Sequence, residues 1–150
     1  MYFTTGKEAK TANIRLPNRD VKEPKEVVRW LDIWFDPGLS FKQHIAILTS
    51  QVRSAFQRIT RLANTEKGLS PFAIRQLYLA CVTNVADYGA AIWWKGQAQF
   101  KKPLQALQNL ALRKILGVFK TAPTVPMEAE AALQPLSVRL NTNTRKYAIR

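Results

Sequence analysis

Two aspartates four positions apart, Asp32 and Asp36, come closest in this sequence to a pair that could share a divalent metal. They fall in a stretch that alternates like a strand, which would put them on one face with about 13 Å between their α-carbons. That is too far for a close metal pair unless the chain bends. They read instead as two solvent-facing carboxylates, with Asp36 opening a turn, a position where aspartate is common. His44 adjoins an apolar stripe with no serine or cysteine that the sequence can place beside it, so it reads as a packing or hydrogen-bonding residue. Cys81 falls on an apolar stripe and reads as a small core residue. One cysteine and one histidine cannot complete a structural zinc site, and one cysteine cannot form an internal disulfide. Gly89, Gly96 and Gly117 are isolated, so no glycine-rich phosphate loop is formed. The residues therefore lead us to expect no cofactor, no metal and no catalysis.

Binding is a different matter, because the chain carries a formal charge of +13. Residues 1–36 hold seven basic and six acidic side chains, whereas residues 37–127 hold twelve basic ones against only Glu66 and Asp87. A segment so poor in carboxylates cannot neutralise itself internally, which favours a polyanionic partner such as nucleic acid. Four tryptophans raise base stacking as a second contribution. Trp93 and Trp94 follow Ala90, Ala91 and Ile92 and read as core. Trp30 and Trp34 lie opposite Leu31, Ile33 and Phe35, so either role fits them.

The elements that would carry these residues follow from periodicity. Met1–Thr5, Ala12–Leu16 and Val27–Phe35 read as three short strands, a small antiparallel sheet. Asp36-Pro37-Gly38 supplies a turn, and Ser40 with Gln43 fits a helix N-cap and its reciprocal partner. The hydrophobic period then changes from two to 3.6. A first helix from Phe41 to Ala63 buries Phe41, Ile45, Leu48, Val52, Ala55, Phe56, Ile59 and Leu62 and carries Lys42, Arg53, Arg58 and Arg61 on its other side. Ser70-Pro71 starts a second helix whose stripe is Ile74, Leu77, Tyr78, Cys81, Val82 and Val85. The state of Ala90–Trp94 stays open between helix and strand. A third helix spans 101–116, burying Leu104, Leu107, Gln108, Ala111 and Ile115, and closes at Gly117. A short helix follows at Met127–Leu133, and another opens at Pro135. The fold class is mainly α, with a short N-terminal antiparallel sheet at residues 1–36 and a helical bundle at 37–150. Apolar runs stop well short of the roughly 18 residues a spanning helix needs, and no signal peptide opens the chain. We expect a protein of the cytoplasm or nucleus without a membrane contact.

In this order, the pieces MYFTT, VVRWLDIWFDPGLSFKQHI, GLSPFAIRQLYLACVTNVADYGAAIWW and LQALQNLALRKILGVFKTAPTVPMEAEAALQPLSVRL form a series. That series resembles the C-terminal part of reverse transcriptases from non-LTR (LINE-type) retrotransposons. The resemblance covers nearly the whole chain and rests on the order and spacing of the pieces. It implies that residues 1–36 are the end of a polymerase palm and 37–150 a helical thumb and connection. It also places Trp30-Leu31-Asp32 where the family has an aromatic-Leu-Gly turn, the primer-grip-like end of the palm. Asp32 departs from that glycine and would bring a negative charge near a primer backbone. The family's catalytic carboxylates lie upstream and have no counterpart here, so the chain reads as a non-catalytic fragment, as its start inside the palm and its uncapped last helix also suggest. The partners implied are an RNA–DNA or RNA duplex, held through its phosphates, and the remainder of the palm. Lys42, Arg53, Arg58, Arg61, Lys101, Lys102, Arg113, Lys114 and Lys120 would make the phosphate contacts. Two other readings compete: a basic helical adaptor for an acidic protein, and a degenerate element product without function.

Overall fold

The computed structural model describes residues 14, 15, 17, 21, 22, 25–63 and 68–149. The chain is mainly helical, with short antiparallel pairs of strands near its N-terminus. It forms two compact units, 1–46 and 47–150.

In the first unit, β1 (Ile14–Arg15) pairs antiparallel with β2 (Val21–Lys22). A separate hairpin joins β3 (Val28–Trp30) to β4 (Ile33–Phe35), with Val28 opposite Phe35 and Trp30 opposite Ile33. The expected strand at Met1–Thr5 lies outside the described residues. The expected single strand over Val27–Phe35 is corrected: the chain reverses at Leu31 and Asp32, whose φ angles are +48° and +62°. Positive φ at both central residues is the signature of a type I′ turn, whose twist matches the flanking strands. Leu31 is accordingly 70% exposed and not core-facing, while Ile33 is buried. Arg29 forms an ion pair with Asp32 beside the turn, and its guanidinium sits 5.9 Å from the centroid of the Trp34 ring, within cation–π range.

The entry to the first helix, α1 (Lys42–Ala63), is built by Asp36. Its backbone carbonyl accepts from Leu39 N–H at 2.9 Å, closing the Pro37-Gly38 turn. Its carboxylate accepts from the backbone N–H groups of Ser40 at 2.9 Å and Phe41 at 2.8 Å. The expected Ser40 cap is thereby replaced. Phe41 lies at φ +55° and offers its carbonyl to Ile45 N–H, so the helix starts after it, and the Ser40 hydroxyl turns to the Asp36 carboxylate instead. Burial alone would raise the Asp36 pKa, but these hydrogen bonds outweigh it and hold the carboxyl below its ordinary value. His44 is buried and accepts from Trp34 N–H at 3.5 Å; burial lowers its pKa and so favours the neutral ring.

In the second unit, Phe56 of α1 meets Tyr78 edge-on, ring centroids 6.4 Å apart. Ser70 caps α2 (Pro71–Leu77), its hydroxyl accepting from Ala73 N–H at 3.3 Å. The helix continues through π-helical turns at Tyr78–Thr83 into α3 (Asn84–Asp87). Ile74, Tyr78, Val82 and Ala86 are all buried. A spacing of four drifts about 40° per step on an ordinary α-helix, and the wider π turns keep these residues on one side. The same widening turns Cys81 outward. It is exposed, which corrects its placement in the core. Gly89, in the left-handed region at φ +64°, starts α4 (Ala90–Trp93), so the aromatic segment is helical.

The third long helix, α5 (Ala98–Leu116), begins three residues before the expected start and ends at Gly117, φ +66°. It buries Leu104, Leu107, Ala111, Leu112 and Ile115, while α6 (Thr124–Glu130) and α7 (Leu136–Ala148) pack on it. Trp93 and Trp94 are buried as expected, their indole N–H groups donating to Tyr88 O at 2.9 Å and Asn141 Oδ1 at 2.7 Å. No described helix is long and apolar enough to cross a membrane.

Candidate nucleic-acid interface

Seven of the nine cations expected to contact phosphate are exposed: Lys42, Arg53, Arg58, Arg61, Lys101, Lys102 and Lys120. Arg53, Arg58 and Arg61 fall within an arc of about 140° at 100° per residue, on the side of α1 away from buried Val52, Phe56 and Ile59. The helix therefore presents three guanidinium groups together because its stripe fixes the opposite face. Lys101 and Lys102 project from the first turns of α5, and Arg113 and Lys114 from its last turn. Both of the latter are half-buried. The Nε of Arg113 is shielded from solvent and has no hydrogen-bond partner among the described residues. Lys42 starts α1 and belongs to the first unit; the other eight belong to the second.

Other cations are engaged in holding the fold. Arg75 donates from Nε to Ala131 O at 2.6 Å and from Nη2 to Ala132 O at 2.9 Å, satisfying carbonyls where the chain leaves α6 with Ala132 at φ +47°. Arg139 bridges three groups. Its Nε meets Asp87 at 2.8 Å, its Nη1 donates to Gln108 Oε1 at 2.9 Å, and it also bonds the Tyr78 hydroxyl. Asn143 donates to Asp87 Oδ2 at 3.0 Å, and Gln108 donates to Glu128 Oε1 at 2.9 Å and Gln134 O at 3.1 Å. Burial pushes the Asp87 carboxyl above its ordinary pKa, with Arg139 and Asn143 pulling against it. This network was missed in the sequence apart from Gln108 on a buried stripe. The remaining signals were an aspartate in an acid-poor segment and an arginine on an amphipathic helix.

The structure leaves the three primer-grip-like residues at the hairpin tip. Trp30, at 67% exposed, and Leu31 face solvent, and Asp32 is exposed beside Arg29. The two candidate carboxylates are drawn apart in role: Asp32 pairs with Arg29, and Asp36 holds the turn that leads into α1. Among the described residues, no group of three or more His, Cys, Asp or Glu is placed to hold a metal ion.

Three known proteins are similar to most of this chain. The match to a putative 115 kDa protein in the type-1 retrotransposable element R1DM of Drosophila melanogaster is 27% identical over 124 residues, 81% of this chain. A probable RNA-directed DNA polymerase from transposon BS of the same fly matches at 25% over 140 residues, 93% of the chain. A retrovirus-related Pol polyprotein from type-1 retrotransposable element R1 4 of Nasonia vitripennis matches at 24% over 126 residues, 84% of the chain. The matched segments make up 12%, 15% and 32% of those proteins respectively, so the chain spans a third of their length or less. No protein-family model and no solved structure matches it. Similarity to three retrotransposon proteins along most of the chain bears out the resemblance, first drawn from the order of its motifs, to the reverse transcriptases of non-LTR retrotransposons.

Proposed function

We propose that this chain is the palm-end, thumb and connection segment of a non-LTR reverse transcriptase and that its role is to hold an RNA template–DNA primer duplex by its phosphates. The observation that carries this reading is the outer face of α1, where Arg53, Arg58 and Arg61 stand exposed in a stretch of 91 residues, 37–127, that contains two acids. One of those acids, Asp87, is already paired with Arg139. Phosphate contacts of this kind position a duplex without reading its bases, and A-form geometry is the feature recognised. The chemistry of polymerisation belongs to another part of the parent protein, since Asp32, Asp36 and Asp87 each have structural partners here. Arg53→Glu tests the reading. Because Arg53 is exposed, the change alters stability by less than about 0.5 kcal/mol. Yet it should weaken binding of an RNA–DNA duplex by more than tenfold, since a contact is lost and a repulsion gained. An unchanged affinity, measured by fluorescence anisotropy with the helical circular dichroism intact, would remove α1 from the interface.

The primer-grip assignment has its own test at Asp32. Holding a non-glycine residue at positive φ costs up to about 1–2 kcal/mol, less for aspartate, so Asp32→Gly relieves the turn while giving up an exposed ion pair of about 0–1 kcal/mol. Stability should change little. A carboxylate about 4 Å from a primer phosphate costs on the order of 1 kcal/mol in a water-like dielectric, so its removal should tighten duplex binding about fivefold. Asp32→Asn removes the charge but keeps the bulk, and should fall between glycine and the native residue. Equal affinities for all three would place the Asp32 carboxylate away from the duplex.

A further inference from the structure

The connection from α5 to α6 holds the most exposed of the large apolar side chains described: Phe119, at 89%. Its backbone is held on both sides. Before it, Gly117 takes the left-handed conformation at φ +66°, and the N–H groups of Gly117 and Val118 both return to Arg113 O, the latter at 3.2 Å. After it, the Phe119 carbonyl accepts from Ala122 N–H at 3.1 Å. The ring is thus presented to solvent at the first residue of a hydrogen-bonded turn. Lys120 follows it, Arg113 and Lys114 precede it in the last turn of α5, and residues 88–127 contain no acid at all.

We infer that Phe119 is a stacking platform for an unpaired base of a nucleic acid strand whose phosphates are taken by the neighbouring cations. The inference rests on the nucleic-acid reading above and extends it from phosphates to a base. An exposed apolar ring with exposed Lys120 next to it in the chain, and half-buried Arg113 and Lys114 in the helical turn before it, suits a ligand that offers an apolar face and negative charge together, which a nucleotide does. Base pairs inside a duplex expose no π-face, so stacking requires a single strand or a splayed nucleotide. Such stacking tolerates any base because every base has a π-face. Val118 in this connection and Val125 at the start of α6 are also exposed, which would suit a protein partner. The absence of a balancing acid from residues 88–127 favours the nucleotide.

The test uses the full 150-residue chain, a single-stranded oligo(dT) carrying one 2-aminopurine, and a blunt RNA–DNA duplex. Phe119→Ala should bind the single strand about tenfold more weakly and lose the quenching of 2-aminopurine that stacking produces, while its affinity for the blunt duplex stays unchanged. Phe119→Trp should keep both signals, and Phe119→Leu, which keeps apolar bulk without a π-face, should lose the quenching. Phe119→Ala equal to the native chain on the single strand overturns the inference and leaves Phe119 to a protein partner. Binding of the duplex with none of the single strand by the native chain overturns the inference alone, and binding of neither overturns the clamp reading with it.

Discussion

Arg139→Ala should destabilise the helical unit by about 3–5 kcal/mol, the range for breaking a buried ion pair by removing one partner. The Asp87 and Arg139 side chains are only 14% and 13% exposed, so solvent cannot take the place of the lost guanidinium. The loss would also leave Gln108 Oε1 without its donor from Arg139 at 2.9 Å and remove the link that ties α7 to α3 and α5. The sign of the pH dependence follows from Asp87. Its pKa is raised by burial even with Arg139 and Asn143 opposing, and without the arginine it rises further. A group whose folded pKa lies above its unfolded value stabilises at low pH and loses that contribution as pH rises through the folded pKa. The variant's deficit should therefore be largest at neutral pH and shrink on acidification. Asp87→Asn in the Arg139→Ala background removes the stranded charge and should recover part of the stability at pH 7. Urea unfolding followed by circular dichroism at pH 5 and pH 7 measures all three effects. A deficit under 1 kcal/mol at pH 7 would show that water reaches the pair.

Much of the helical framework was legible in the sequence because its signals are local. Ser70-Pro71 announces a helix start, and the Ser70 hydroxyl does accept from Ala73 N–H. Gly117 announces a stop and is found at positive φ. Of the expected stripe, Phe41, Ile45, Leu48, Val52, Phe56 and Ile59 are buried, whereas Ala55 is half-buried and Leu62, in the last turn of α1, is exposed. The hairpin escaped because period-two alternation runs unbroken through Leu31-Asp32, and neither residue is the glycine or asparagine that usually marks a type I′ turn. Ser40 reads as the cap in the sequence because it directly precedes the apolar stripe and has Gln43 three residues on. The Ser40 hydroxyl is drawn away because the Pro37-Gly38 turn folds the Asp36 carboxylate back onto Ser40 and onto the N–H groups of Ser40 and Phe41, just ahead of the helix. Cys81 was misplaced because an α-helical wheel assumes one pitch, and the π turns change it.

The candidate interface was legible where it depends on charge alone. Arg53, Arg58 and Arg61 share a face by simple periodicity, and the acid-poor composition of 37–127 can be counted. What could not be read is which cations the fold itself engages. Asp87 and Arg139 are 52 positions apart, and Arg75 reaches carbonyls more than 50 positions away. Pairings at that separation depend on how α3 packs with α7 and α2 with α6. The degree to which Arg113 and Lys114 are half-buried depends likewise on how α5 packs. Phe119 passes unnoticed in the sequence because a phenylalanine beside Val118 resembles core until its exposure is seen.

The salt dependence of binding tests the central claim most directly. If about five of the seven exposed cations neutralise phosphates on an RNA–DNA duplex, each releases condensed counterion, and log affinity should fall against log salt with a slope of roughly −4 to −5. Between 50 and 200 mM salt that slope amounts to a loss of roughly 250- to 1,000-fold. Exchanging the base sequence of the duplex should leave affinity nearly unchanged, because phosphate contacts carry no sequence information. A titration of the purified chain against a fluorescent duplex across that salt range gives the slope in one series. A slope of −4 to −5, the same for unrelated duplex sequences, is the result expected of a basic clamp. A slope near −1, or a strong preference for one sequence, would contradict it.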